Sequence, residues 1–417
     1  MAISFIMRKI KYILLLIFVS ILQAQNAEVL TGIEVLKKDN FRQLKDLRIG
    51  LITNQTGVDN SLTSTIDLFY ESENVNLVCL FGPEHGVRGD EDAGKKVKSY
   101  IDKKTGLPVY SLYGSTKKPT KEMLQNVDAL VYDIQNIGCR SYTFISTMGL
   151  AMEAAAENNK LFFVLDRPNP LGGLRVEGNL TEEDCFSFIS KYKIPYIYGL
   201  TCGELALMIN DKEWLKTDKK CQLNIIKMQN WKRDFLYSDC NLIWVPTSPH
   251  IPKFETTFFY PATGILGEIR SDFNIGVGYT LPFEMILSDK LDSQKLTDRL
   301  NKKYNSDKIS FRATSVTPYY TGFKGKRING VQIYLKDLTL ANLMHIQFEV
   351  LKEIISIKPE LKEIFKKSSP QNKMFDKAIG SKKIRQFISE NNFNAINSYL
   401  DKDIEKFKKD SEKYYLY

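Results

Sequence analysis

Histidine is scarce, with three residues in 417, and no HxH or HExxH pair is present. The common zinc-hydrolase arrangements, which need closely spaced ligands, are thereby excluded. The six cysteines, Cys79, Cys139, Cys185, Cys202, Cys221 and Cys240, contain no CxxC pair. They are expected to bind no metal and to stay unpaired, because a chain of this length builds a core without disulfide staples. A phosphate-binding P-loop and a GxGxxG fingerprint are both missing, so no nucleotide and no other cofactor is called for. The net charge is +9, yet no basic stripe interleaved with aromatics appears. Nucleic acid is therefore not an expected partner, whereas a mild attraction to anionic glycans is.

Long apolar runs are confined to the N-terminus, where the eleven residues Tyr12 to Leu22 follow Arg8, Lys9 and Lys11 and precede Gln23-Ala24-Gln25. Such a run is too short to cross a bilayer but suits the core of a signal peptide, read here as residues 1–25. The mature protein is then exported with no stable membrane span, and without a cysteine after the run nothing supports a lipid anchor.

What remains is an ordinary globular composition, 43% hydrophobic and 26% charged. Its length exceeds what one core serves, which predicts two domains, 26–262 and 263–417. In the first, strand-like runs at 48–52, 77–81, 129–132 and 161–165 alternate with helical spacing at 32–47, 120–126 and 146–158. This alternation predicts an α/β fold with a parallel sheet and crossover helices. A further helix is expected after Thr201, with Thr201 and Glu204 in capping-box spacing, then a strand at 222–228. Residues 244–260 read as an ordered loop between domains, and the second domain as a mixed region with a strand at 330–335 and helices to the end.

Each early strand runs into a polar segment bearing glycine or proline, and in a parallel sheet these segments share one edge. Among them, Gly82-Pro83-Glu84-His85-Gly86-Val87-Arg88-Gly89 places a carboxylate, an imidazole and a guanidinium between turn-forming residues. Glu84 is the expected proton donor or acceptor, with His85 to orient it or touch substrate. Arg88, Arg140 and Arg167 each lie close to a strand end, and their forked guanidinium groups suggest an acidic substrate. Asp133 and Asp166 open their loops and would position those arginines or hold hydroxyl groups. His250 is expected at the crevice rim, while His345 belongs to an amphipathic helix with a structural role. Glu84, His85, Asp133 and Asp166 include a single histidine and no close ligand pair, so no metal is expected among them.

The segments LITNQTGV (51–58), FGPEHGVRG (81–89), TGLPVYSLYG (105–114), YDIQNIGCRSYTF (132–144), LDRPNPLGG (165–173), YGLTCGELA (198–206) and WVPTSPHIP (244–252) are similar to those of the exo-β-N-acetylmuramidase family, formerly of unknown function. The resemblance covers nearly all of the mature chain. It implies a Rossmann-like N-terminal domain, a smaller α+β C-terminal domain and an active cleft between them. It also implies an exported bacterial enzyme, most simply periplasmic, that removes a terminal β-1,4-linked N-acetylmuramic acid from peptidoglycan fragments or muropeptides. Glu84 would be its catalytic acid, and Asn54 and Tyr142, carried in these motifs, join the substrate-binding set.

The chain departs from the family pattern after Tyr260-Pro261-Ala262-Thr263, where members commonly read EGTN. Glu268 is expected to replace the displaced glutamate as a catalytic group, Asp166 and the substrate's own acetamido group stay open for the same stabilising role, and Tyr279 stands near the usual arginine. Because this segment faces the cleft from the second domain, the alternative is a protein that captures muropeptides without turnover.

Overall fold

A computed structural model describes residues 28–84, 86–89, 99–304, 308–339, 342–366 and 368–417. The signal-peptide assignment and His85 lie outside the described residues. Among the described residues the N-terminal part forms a seven-stranded sheet in the order β3-β4-β2-β1-β5-β6-β7. Its strands are β1 (Arg48–Thr53), β2 (Asn76–Gly82), β3 (Tyr100–Ile101), β4 (Pro108–Ser111), β5 (Ala129–Asp133), β6 (Leu161–Leu165) and β7 (Gln222–Ile226). All pairings are parallel except that of β3 with β4. Every residue of β5 is buried, as expected for a central strand covered on both faces by helices.

The covering helices include α1 (Gly32–Lys38), α2 (Thr65–Glu71), α3 (Phe144–Glu157) and α4 (Cys202–Asp211). In α3, Ala151, Ala154, Ala155 and Ala156 allow close approach to the sheet, and Gly149 makes room for the Tyr192 hydroxyl, which a Cβ would meet at 1.5 Å. The box at the start of α4 forms as expected: Glu204 N donates to Thr201 Oγ1, and Thr201 N donates to Glu204 Oε2.

The second part carries the antiparallel sheet β8-β10-β9 (Met285–Ser288, Ile328–Leu335, Ile309–Val316). Around it lie α5 (Thr256–Thr263), α6 (Ser293–Lys303), α7 (Leu343–Ile357) and a run of shorter helices: α8 (Glu363–Lys366), α9 (Pro370–Ile379), α10 (Lys383–Ser389), α11 (Phe393–Asp401) and α12 (Ile404–Ser411). The boundary expected near 262 falls within α5. That helix is tied to α7 by Gln347, whose Nε2 donates to Pro261 O at 2.6 Å and whose Oε1 accepts from Leu266 N at 3.1 Å.

Several elements differ from expectation. Residues 120–126 form turns instead of a helix, because a single apolar turn buries Leu124 and Val127 and nothing extends it. Part of the segment read as an interdomain loop is helix α5, whose Pro261 lies in the last turn, where Gly264 N still reaches Tyr260 O. The short strands β3 and β4 carry too few residues to show a period. All six cysteines are buried free thiols, with Cys79 inside β2.

The end of the chain returns to the first sheet. Tyr417 donates its hydroxyl to Asp166 Oδ2 at 2.8 Å and accepts from Met228 N at 2.9 Å, while Leu416 N donates to Glu204 Oε1. The Arg233 guanidinium lies 3.4 Å from the Tyr415 ring centre. Deleting Leu416 and Tyr417 removes these bonds and a packed ring, and should cost about 2–4 kcal/mol of stability. Thermal unfolding of the truncated protein measures this; an unchanged midpoint would show that the tail is merely draped over the surface.

Candidate active site

The loop after β2 is shaped by its glycines. Gly86 and Gly89 take φ of 75° and 76°, a region that residues with a Cβ resist. Gly86 N donates to Pro83 O at 3.1 Å and closes the turn that carries Glu84. Arg88 anchors the turn from below: its Nε donates to Asp102 Oδ1 at 2.7 Å, and its Nη2 to Asp102 Oδ2 at 3.0 Å and Asp67 Oδ1 at 3.1 Å. Arg88, expected on substrate, thus holds the loop that presents Glu84.

Glu84 opens into a cleft of about 680 Å³ walled by both domains. The first domain supplies Tyr113 from the end of β4, Lys117, Ser141 and Tyr142 before α3, Phe188, and His250; the second supplies Tyr260, Arg270, Phe283 and Lys377. Burial, together with the charge and hydrogen bond of Glu84, pushes the Tyr113 hydroxyl up to about 12. It therefore stays a neutral donor to that carboxyl group. Burial also raises Tyr142, with Glu84 contributing, and Tyr142 donates to Thr247 Oγ1 at 2.8 Å. Its ring meets Tyr260 edge-on at 5.9 Å, and Tyr260 leans on Phe283 at 4.9 Å. Lys117 lies 4.4 Å over the Phe188 ring. The site thus combines one acid with an aromatic wall and three cations.

Glu268 stands beside two of these lining residues. Its carboxylate is 3.6 Å from Arg270, and its charge acts on Tyr260. Burial raises its pKa, and Arg270 partly offsets this.

The remaining candidates lie elsewhere. Asp133 and Arg167 form a buried ion pair at 2.5 Å, and Asp133 also accepts from Thr65 Oγ1. Asn54 Oδ1 accepts from Thr56 N and Oγ1, which shapes the turn after β1. Asp166 accepts from Thr201 Oγ1, Gly203 N and Tyr417, and burial pushes it up to about 6. Arg140 is fully buried and donates to the carbonyls of Asn179, Ile194 and Ile379. Tyr279 lies outside the cleft, stacked on Tyr319 at 6.2 Å. His345 pairs with Asp401 at 2.9 Å, a structural role as expected. Among the described residues no three His, Cys, Asp or Glu side chains gather closely enough to hold a metal ion.

Tyr113, Lys117, Arg270 and Lys377 were not singled out by the sequence. Tyr113 and Arg270 do stand in the two segments most telling for the family, the run at 105–114 and the departure after Thr263.

A carboxyl group held by a tyrosine between aromatic and cationic walls, in a cleft between the parallel-sheet unit and the second, antiparallel-sheet unit, can supply one of the two carboxyl groups that glycoside hydrolysis uses. The chain belongs to the exo-β-N-acetylmuramidase NamZ family, whose N-terminal model matches residues 49–255 and whose C-terminal model matches residues 258–417. It is 45% identical over 396 residues to the peptidoglycan β-N-acetylmuramidase NamZ of Bacillus subtilis strain 168, covering 94% of this chain and 92% of the relative. A crystal structure of a DUF1343 family protein from Bacteroides fragilis NCTC 9343 superposes with a TM-score of 0.88 at 51% identity, over 94% of this chain and all of that one. A second DUF1343 protein of that organism gives 0.74 at 28% identity, over 94% and 99%. The protein is accordingly an exo-β-N-acetylmuramidase-type glycoside hydrolase, with a parallel-sheet domain and a smaller second domain.

Two predictions test how the acid is held. Tyr113→Phe removes the hydrogen bond to Glu84 and should lower kcat about 10–100-fold with little change in stability; a variant at wild-type rate would separate Tyr113 from the chemistry. The Arg88 guanidinium holds Asp102 at about 2, below its usual 3.8. Its stabilisation is therefore complete above pH 4 and lost as pH falls toward 2, a loss of about 2 kcal/mol. Urea unfolding at pH 5 and at pH 2.5 should show this step in the wild type, reduced in Asp102→Asn.

Proposed function

We propose that the protein removes a terminal β-1,4-linked N-acetylmuramic acid from peptidoglycan fragments, with Glu84 as general acid/base. The observation that carries this reading is the position of Glu84, hydrogen-bonded with Tyr113 in the lining of the interdomain cleft. The family and the activity named for the Bacillus subtilis relative support the substrate class.

Hydrolysis needs a proton for the leaving oxygen and a second group that stabilises an oxocarbenium-like sugar. Glu84 serves the first need. Asp166 is withdrawn from the second by its buried partners. Glu268, half-buried behind Tyr260 and Arg270, is the carboxyl group we assign there. The acidic-substrate reading passes from the buried arginines to Lys117, Arg270 and Lys377, which line the cleft and suit the lactyl carboxylate of muramic acid. His250 fits the rim. The basic segment and short apolar run at the N-terminus support export, and in a bacterium a periplasmic role in wall turnover.

A chromogenic N-acetylmuramic acid glycoside tests the assignment. Glu84→Gln should lower kcat about 10²–10⁴-fold, and near-normal dye release would refute it. Arg270→Ala should raise KM for that glycoside and narrow its advantage over the N-acetylglucosamine analogue, which lacks the lactyl group. Equal effects on both sugars would assign Arg270 a purely structural part.

A further inference from the structure

The second-domain wall of the cleft continues onto a face that the hydrolytic step does not use. The loop between β9 and β10 meets the cleft at two points. The Tyr320 hydroxyl is 3.0 Å from His250 Nε2, with the rings stacked at 6.1 Å and 25°. Gly322 packs beside the Arg270 carbonyl oxygen. One residue earlier, Tyr319 N donates to Gly278 O at 2.8 Å, and the Tyr319 ring lies nearly parallel to Tyr279, at 6.2 Å and 9°.

These rings are open to solvent: Tyr319 is 70% exposed and Tyr320 49%. Tyr279 and Tyr319 line a groove of about 650 Å³ together with Lys324 and Arg327, and among the described residues that lining holds no acidic side chain. Exposed tyrosines beside an arginine are the composition of a binding surface rather than of an idle one, since each ring offers an apolar face and a polar tip.

We propose that this groove holds the continuing glycan strand of the substrate, beyond the bond cut in the cleft. The inference rests on the hydrolysis proposed above and adds the path of the polymer. An enzyme that takes one terminal sugar leaves the rest of the strand outside the cleft. Tyr320, which bonds His250 of the cleft lining, is the chain neighbour of Tyr319 on the tyrosine face. Sugar rings stack there on Tyr319 and Tyr279, and the carboxylates of muramyl and peptide groups meet Lys324 and Arg327, an anionic ligand on a cationic groove.

The test compares two substrates, the chromogenic glycoside and purified glycan strands that end in N-acetylmuramic acid. In Tyr319→Ala and Arg327→Ala, KM for strands should rise about tenfold with kcat unchanged, while both constants for the glycoside stay at wild-type values. Wild-type constants on strands, or equal losses on both substrates, overturn the proposal. If the wild-type protein cleaves neither substrate, the hydrolytic reading fails separately. Calorimetric binding of the strands then reads the groove by itself: weaker binding by Tyr319→Ala supports the proposal, and unchanged binding overturns it.

Discussion

The cleft exists because a buried arginine ties its two walls together. Arg140 follows β5 in the first domain, yet one of its Nη groups reaches the carbonyl of Ile379 at 2.6 Å, the last residue of α9 in the second. The other holds the carbonyls of Asn179 and Ile194. A cation at a helix C-terminus meets both the free carbonyls and the negative end of the helix dipole. Gly380 turns the chain there with φ of 75°, and a Cβ at that position would lie 2.7 Å from the guanidinium. Lys377, on the same helix, lines the cleft that Glu84 also lines. Burial lowers Arg140 to about 10, a desolvation that these carbonyl acceptors offset.

With the walls fixed, the chemistry moves away from the place where a doubly wound sheet usually binds its ligand. That place lies at the carboxyl ends of β1 and β5, where the strand order reverses. Here it is occupied from within. Asp133 pairs with Arg167, Thr53 donates to the Asp133 carbonyl at 2.8 Å, and Gln135 N donates to Thr56. The adjoining edge is closed by Tyr417 on Asp166. These groups keep the sheet edge rigid, and the loops after β2 and β4 carry the acid and its tyrosine outward to the domain interface.

The parallel sheet was legible in the sequence because central strands bury both faces and read as short apolar runs between polar turns. The run at 129–132 and its partner at 161–165 are cases in point, as is the capping box at Thr201 and Glu204. Glu84 was legible because it stands in a turn rich in glycine and proline, and Gly86 and Gly89 after it take left-handed backbone, which marks a shaped loop rather than a loose one. Arg88, Arg140 and Arg167 were equally visible as residues near strand ends. Their roles were not, because a guanidinium reaches several ångströms in any direction and finds its partner by tertiary contact. Asp102, Ile379 and Asp133 lie 14, 239 and 34 residues away from them.

The amino-acid sequence by itself determined the fold class and the family, and it placed Glu84, the carboxyl group we propose as the acid, just after β2. These depend on local periodicity, turn chemistry and motif order, which are properties of neighbouring residues. Only the tertiary structure decided which charges line the cleft. Carboxylates hold Arg88 and Arg167 and backbone carbonyls hold Arg140, and the docking of α9 and the 264–283 segment brought Lys377 and Arg270 into the lining of the cleft that Glu84 shares. The reason is physical: a charge in the interior must be paired or hydrogen-bonded, one on a cleft wall need not be, and position along the chain does not distinguish the two.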